Sequence, residues 1–176
     1  GQAVIRDIQT EIGGMNRIIS DLLTFARPTA LNRSSVSIKE LLETCVETVL
    51  QARTDSPHIA TELDIAQVAA SVDEVLMRQA LTNLVQNATE AMPDGGTLTV
   101  RLWADRNVHI VIRDTGPGIP QENIKKIFLP FFTTKDKGVG MGLALAHKVI
   151  TAHGGRVDVE SGQTGGAVFT VILPNK

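Results

Sequence analysis

Residues 107–120 read NVHIVIRDTGPGIP, and the break in pattern at position 114 decides how the chain is built. Up to Arg113 polar and apolar side chains alternate, the period of a half-buried strand. Then an aspartate, two glycines and two prolines arrive within seven residues, 114–120. A tight turn alone would explain the glycines and prolines. The carboxylate admits a second reading. Asp114 stands at the carboxyl end of a strand, and Gly116 and Gly118 let a ligand come close to the backbone. An ionised carboxylate only accepts hydrogen bonds, so its natural target on a purine is the exocyclic amine of adenine.

Working outward, residues 97–104 alternate in the same way and pair with 107–114 as a hairpin. Before them a helix is predicted over 73–91, opened by Asp73 and stopped by the PDGG turn. A helix over 37–52 starts at Ser37 with Glu40 three residues on, a capping box. Extended pieces at 58–65 and 67–72 lie between these two helices. Downstream, 115–139 is irregular apart from a short helix near 121–128; a helix over 141–153 ends at His153-Gly154-Gly155, and strands at 155–161 and 167–173 finish the chain. Strands on one face with helices on the other predict an α+β, two-layer α/β sandwich: a mixed sheet of about five strands under three helices.

One long helix should precede that sandwich. Ile5, Ile8, Ile12, Met15, Ile19, Leu22 and Ala26 recur at spacings of three and four, the seam of a coiled coil or helical hairpin. Gly13-Gly14 weakens it, and Pro28 ends it. The expected organisation is therefore 1–28 as one helix of a hairpin, 29–36 as linker and 37–176 as the main domain. A seam already running at residue 5 suggests a chain whose upstream part is missing.

Composition narrows the function classes. The chain has 176 residues, 43% hydrophobic and 20% charged, as in ordinary globular proteins. A net charge of −2 gives no overall field for nucleic acid or anionic membrane, and with five Phe, one Trp and no Tyr there is no base-stacking platform. No apolar run is long enough to span a bilayer, and no signal peptide is visible, so no membrane contact is expected of this segment. A single cysteine, Cys45, excludes an intramolecular disulfide; it lies on the apolar side of a predicted helix as a small buried hydrophobe.

Four further motifs carry polar chemistry. In LTNLVQNATEAM (81–92), Asn83 and Asn87 share one helix face. They are either a solvated stripe or a site where Asn87 offers an amide oxygen to Mg²⁺, which favours oxygen ligands. IFLPFFTTK (127–135) gathers three of the five phenylalanines, Phe128, Phe131 and Phe132, as an anchor for a loop, followed by Thr133, Thr134 and Lys135. In KDKGVGMGLA (135–144), Gly138, Gly140 and Gly142 alternate directly before a helix, and exposed N–H groups there suit phosphate. It is neither a Walker A loop nor a dinucleotide fingerprint. QTGGAVF (163–169) reads as a tight turn into the last strand. Singly, each has a plain structural explanation.

Taken in order, the series resembles the catalytic, ATP-binding domain of two-component sensor histidine kinases, within the superfamily that includes gyrase, Hsp90 and MutL. NLVQN stands as the N box, DTGPG as the G1 box, FLPFF as the F box and GVGMGL as the G2 box. The match runs over roughly 36–174, and MNRIISDLLTFARP looks like the second helix of the dimerisation hairpin. The FFTTK and EAMPDGG style is similar to the nitrogen-regulation subtype. The resemblance implies the Bergerat ATP-binding fold, with ATP and Mg²⁺ as cofactors. It makes Asn87 the Mg²⁺ ligand, with Asn83 supporting it one turn earlier. Hydrolysing relatives carry a glutamate at position 83 to activate water; an amide cannot act as that base, which favours phosphoryl transfer. Asp114, Gly116 and Gly118 would hold adenine. Phe131, Thr133, Thr134, Lys135, Lys137, Gly138, Val139, Gly140, Met141, Gly142 and Leu143 would line the rest of the nucleotide site.

Two departures stand out. Many relatives carry Lys or another polar group where this chain has Glu90, which cannot pair with a phosphate. Where they carry a threonine near the adenine, this chain has Ala167. The resemblance also implies transfer of the γ-phosphoryl of ATP to a histidine of the dimerisation domain, then to an aspartate on a response-regulator receiver domain. None of His58, His109, His147 and His153 stands in an H-E-x-x-x-P motif. The acceptor and the other half of the hairpin are thus expected upstream of residue 1, which would leave this chain inactive in autophosphorylation by itself. The full-length protein would be a homodimer, cytoplasmic or the cytoplasmic portion of a membrane-anchored sensor. The competing readings are a degenerate nucleotide-binding regulatory module without kinase activity, and a hydrolytic ATPase or serine-kinase relative.

Overall fold

A computed structural model describes residues 12, 15, 16, 19, 20, 22, 23, 25, 26, 30–53, 57–135, 138–161 and 165–175. In chain order the elements are β1 (Ser34–Ser37), α1 (Ile38–Gln51), β2 (Ile59–Ile65), β3 (Ala69–Val72), α2 (Glu74–Glu90), β4 (Gly96–Ala104), β5 (Asn107–Arg113), α3 (Gln121–Ile124), α4 (Gly142–Ala152), β6 (Arg156–Ser161) and β7 (Ala167–Pro174). Strands β2-β4-β5-β7-β6 form one sheet in that order. The β2–β4 pair is parallel and the other pairs are antiparallel, so the sheet is mixed. This is the two-layer α+β sandwich that the sequence predicts.

Alternation along the strands fills one face of the sheet. Leu98, Val100 and Leu102 of β4, Val108, Ile110 and Ile112 of β5, and Phe169, Val171 and Leu173 of β7 are all buried. Against them α2 buries Met77, Ala80, Leu81, Leu84, Val85 and Ala88, and it packs between α1 and α4. Each large side chain buried in this way contributes about 1.5–3 kcal/mol. On the opposite face Trp103 remains 40% exposed and stacks on His109 with ring centroids 4.8 Å apart.

Residues 34–36, which the sequence reading leaves in the linker, belong to β1, which pairs antiparallel with β3 in a second sheet. Ser-Ser-Val-Ser has no strand pattern of its own; pairing with β3 makes it one. The described residues between 12 and 26 are helical. Their apolar stripe is bare, since Ile12, Met15 and Ile19 are each more than half exposed. Phe25 packs against the core, and Lys148 donates to its carbonyl while lying over its ring. Ile5 and Ile8 lie outside the described residues. Cys45 is buried as expected, accepts the Thr82 hydroxyl, and has its thiol pKa pushed up by burial.

Helix α2 is aimed by its cap. Asp73 accepts the Leu76 N–H at 3.1 Å with one oxygen and the Asn32 N–H at 2.9 Å with the other. Its own N–H donates to Nε2 of His153, at 2.9 Å. His153 Nδ1 lies 2.7 Å from the Val149 carbonyl and must be the donor there, so the ring is neutral with its proton on Nδ1. Burial lowers the His153 pKa from the ordinary 6.5 and outweighs the opposing hydrogen bond to the Val149 carbonyl; the Arg33 charge adds to the lowering. A depressed pKa means that the unfolded chain binds the proton more readily. The stabilisation is complete above the unfolded value and is lost as pH falls through about 6.5 toward the folded pKa. Thermal unfolding should show a melting temperature that declines over this range. His153→Gln should flatten that decline while lowering the plateau at neutral pH. A wild-type melting temperature unchanged between pH 7.5 and 5.5 would contradict the assignment.

Candidate functional site

Strand β5 lies in the middle of the sheet, between β4 and β7, and delivers Asp114 to its carboxyl end. Asp114 is 1% exposed. Its Oδ1 accepts the Gly116 N–H at 2.8 Å and the Ala167 N–H at 3.2 Å. Its Oδ2 is buried and has no hydrogen-bond partner among the described residues. Burial raises the Asp114 pKa despite these N–H donors, because an ionised oxygen has been removed from water without replacement. Such an orphan acceptor costs free energy unless a donor fills the space.

Neighbouring segments fasten the turn after Asp114. Ile119 N–H donates to Ser161 Oγ at 2.9 Å, Gly166 N–H donates to Gly116 carbonyl at 2.6 Å, and Thr97 N–H donates to Thr115 Oγ1 at 3.0 Å. Gly116 must lack a side chain, since a Cβ there would lie 2.5 Å from the Ala91 carbonyl oxygen at the end of α2. Ala167, one of the two departures, works through its backbone: its N–H holds Asp114 Oδ1 and its carbonyl accepts the Asp114 N–H at 3.0 Å.

Asn83 and Asn87 sit on α2 beside this turn. Asn83 is 5% exposed, which rules out a solvated stripe, and it faces the first residue of α4, Gly142. Asn87, one turn on, is half-buried. Lys135 Nζ donates to Asn87 Oδ1 at 3.3 Å and to Glu90 Oε2 at 2.7 Å. A cation thus already rests on the oxygen expected to bind Mg²⁺. Among the described residues no group of three or more His, Cys, Asp or Glu side chains could hold a metal. An ion at Asn87 would need oxygens from phosphate and water, which suits Mg²⁺.

The three phenylalanines read as one anchor divide. Phe128 packs edge-on to the buried Phe169 and against the His147 ring, and Phe132 packs on the core. Phe131 is 63% exposed and is the only non-glycine residue with positive φ among the described residues, at 65°. Its N–H donates to the Gly140 carbonyl at 3.0 Å, closing the segment between them. Gly140 has a φ of 71°, and a Cβ on it would stand 2.4 Å from the Phe132 carbonyl oxygen. Thr133 Oγ1 accepts the Lys135 N–H at 3.0 Å, so this hydroxyl shapes the turn that carries the lysine. Thr134 is exposed, Gly138 and Leu143 are half-buried, Val139 is exposed and Met141 is buried. Lys137 lies outside the described residues. Among the described residues no side chain caps the N-terminus of α4, which leaves its first N–H groups available to an anion. Gly118 packs close to Ser161 and Gly166, on the Asp114 side.

Asp114, Asn83, Asn87, Lys135 and the start of α4 thus surround one end of α2. Three contributors were not singled out from the sequence. Ser161 and Met92 hold the Asp114 turn, and Gln86 donates to Glu90 Oε1 at 2.7 Å. Only Gln86, four residues before Glu90, could have been paired from helical spacing.

Residues 72–176 match the family described as "Histidine kinase-, DNA gyrase B-, and HSP90-like ATPase". Over 98% of its length the chain is 38% identical to the signal transduction histidine-protein kinase AtoS of Escherichia coli (strain K12), and over 96% it is 34% identical to sporulation kinase C of Bacillus subtilis (strain 168). It spans 29% of the former and 40% of the latter. Among solved structures, the mycobacterial sensor histidine kinase MprB superposes with a TM-score of 0.74 at 29% identity, covering 82% of this chain and 98% of that one. Full-length ShkA in complex with AMPPNP gives a TM-score of 0.80 at 28% identity, over 93% of this chain and 36% of that one. Fold, motif order and sequence agree: the chain belongs to the histidine kinase-, DNA gyrase B- and HSP90-like ATPase family and carries a catalytic, ATP-binding domain of the sensor histidine kinase type.

Proposed function

We propose that this chain binds ATP with Mg²⁺ and transfers the γ-phosphoryl group to a histidine of a dimerisation domain, for relay to an aspartate of a response-regulator receiver domain. The observation that carries the reading is the buried Oδ2 of Asp114 at the end of the central strand, which has no partner among the described residues. It is an acceptor without a donor, and the adenine amine supplies one. Likeness to ShkA, solved in complex with AMPPNP, supports nucleotide binding.

Asp114 orients the base while the backbone N–H groups of Gly116 and Ala167 hold its other oxygen still. Asn87 would present its amide oxygen to Mg²⁺, which when bound neutralises charge on the phosphates. Gly138, Val139, Gly140, Met141, Gly142 and Leu143 bring backbone N–H groups and the start of α4 toward those phosphates. Phe131, Thr133, Thr134 and Lys135 would border them, and the resemblance adds Lys137, which lies outside the described residues. Asn83, buried where hydrolysing relatives place a glutamate, neither removes nor supplies a proton. Water near the γ-phosphorus is therefore not activated by that side chain. An imidazole nitrogen supplied from outside the site forms the N–P bond as the bond to the bridging oxygen breaks, leaving ADP.

Residues 1–28 contribute the second helix of a dimerisation hairpin, 29–33 a linker, and the chain from β1 onward the catalytic domain of a homodimeric sensor acting in the cytoplasm. None of the four histidines lies in an acceptor motif. Of these, His153 is locked by its two hydrogen bonds and His147 packs on Phe128. The acceptor therefore comes from another segment or molecule. No described helix is long and apolar enough to cross a membrane.

The test is direct. Incubated with Mg²⁺, ATP and the histidine-bearing dimerisation domain of the full-length protein, the chain should place acid-labile, base-stable phosphate on that domain. Binding of ATP without any such labelling would leave a nucleotide-binding module in place of a kinase.

A further inference from the structure

Glu90 departs from the pattern of the relatives, and its surroundings give it a role. It follows Asn87 by three residues, on the same face of α2. Gln86 Nε2 donates to its Oε1 at 2.7 Å, which fixes the carboxylate plane, and Lys135 Nζ takes its Oε2 at 2.7 Å. Lys135 lies 45 residues away, on the segment between the core-packed Phe132 and Gly138. That segment is shaped locally: Lys135 N–H donates to Thr133 Oγ1 at 3.0 Å, and Gly138 N–H donates to the Lys135 carbonyl at 3.3 Å.

We propose that Glu90 is a positioning residue for Lys135: it docks the lysine ammonium beside Asn87, so that the cation facing the terminal phosphate is supplied by the loop after Phe132 and not by α2. The inference rests on the reading above that a nucleotide lies over Asn87. An ammonium carries three N–H donors. One goes to Glu90, one to Asn87 Oδ1 at 3.3 Å, and the third can meet a phosphate oxygen without breaking the contact with Glu90. Mg²⁺ on Asn87 would release the second donor for the same use. Both side chains remain 40% or more exposed. An ion pair so wet adds little to folding stability, so a structural staple does not explain its geometry. With the cation held there, triphosphate should be preferred over diphosphate through this pair.

The experiment is calorimetric titration of ADP and of AMPPNP, with Mg²⁺, into the wild-type chain and three variants. Lys135→Met should lower the preference for AMPPNP over ADP about tenfold, the loss of one charge-assisted hydrogen bond. Glu90→Gln should lower that preference roughly threefold, because the lysine is no longer docked. Simple charge repulsion predicts the opposite sign, since removing a carboxylate near phosphates favours the more negative ligand. Direction therefore decides. The swap Glu90→Lys with Lys135→Glu should recover most of the preference that Lys135→Glu alone destroys. A preference unchanged or raised in Glu90→Gln, with wild type binding normally, overturns the role of Glu90 and leaves the nucleotide site intact. Wild type that binds neither nucleotide overturns both.

Discussion

Asp114→Asn should cost this chain its adenine nucleotide binding while leaving the nucleotide-free fold as stable as before, or more so. Asparagine keeps an oxygen for the Gly116 and Ala167 N–H groups, so the strand-end turn survives. In place of Oδ2 it presents an NH₂ group. That donor would face the donor of the adenine amine, and a hydrogen bond to a charged acceptor becomes a clash of like partners. The loss is about 3 kcal/mol, roughly 150-fold in affinity. Stability follows the other sign. Burial raises the Asp114 pKa, so the folded protein takes up this proton more readily than the unfolded chain. The corresponding stabilisation is complete below the unfolded value of about 3.8 and is lost as pH rises through the folded pKa, which leaves the ionised group a burden at neutral pH. Removing the charge relieves it. Binding by the wild type should also weaken as pH falls, at higher pH than an ordinary aspartate would dictate, and Asp114→Asn should lack this dependence. Calorimetry across pH, with melting curves of both proteins, checks each part. A variant that binds normally would dismiss the adenine contact, and one that binds weakly because it unfolds would dismiss the trade-off.

Asn87→Ala should remove the Mg²⁺ dependence of nucleotide binding and slow phosphoryl transfer by about a hundred- to a thousandfold, the usual effect of deleting one electrostatic contact that holds developing charge. The substitution takes away the α2 amide oxygen on which Lys135 Nζ rests, and it leaves that ammonium its contact with Glu90. Affinity for ADP without Mg²⁺ should change little, since Asp114 carries the base. Titrations with and without Mg²⁺ separate the two contributions. Equal Mg²⁺ enhancement in wild type and variant would place the ion elsewhere.

These two side chains were reached from the sequence by different routes. Asp114 was legible because its signal is local: period-two alternation stops, and a carboxylate appears among glycines. Asn83 and Asn87 were legible as a helical pair, but only the burial of Asn83 separates a site from a wet stripe, and that burial depends on α4 arriving from 59 residues downstream, with Gly142 opposite Asn83. The phenylalanine cluster shows the same limit. Three adjacent aromatics look alike in sequence, yet Phe128 and Phe132 turn inward and Phe131 outward because its backbone has crossed to positive φ.

The sequence by itself determined the period of each strand, the caps of α1 and α2, the stop at Gly154 and the order of the polar motifs, because each depends on contacts within a few residues. Tertiary structure alone decided the parallel pairing of β2 with β4, the strand made of Ser34–Ser37, the burial of Asp114 Oδ2 away from any partner among the described residues, and the meeting of Glu90 with Lys135. All of these join residues that the chain holds far apart. Their energy appears only after the core has closed and fixed which polar atoms face each other and which face none.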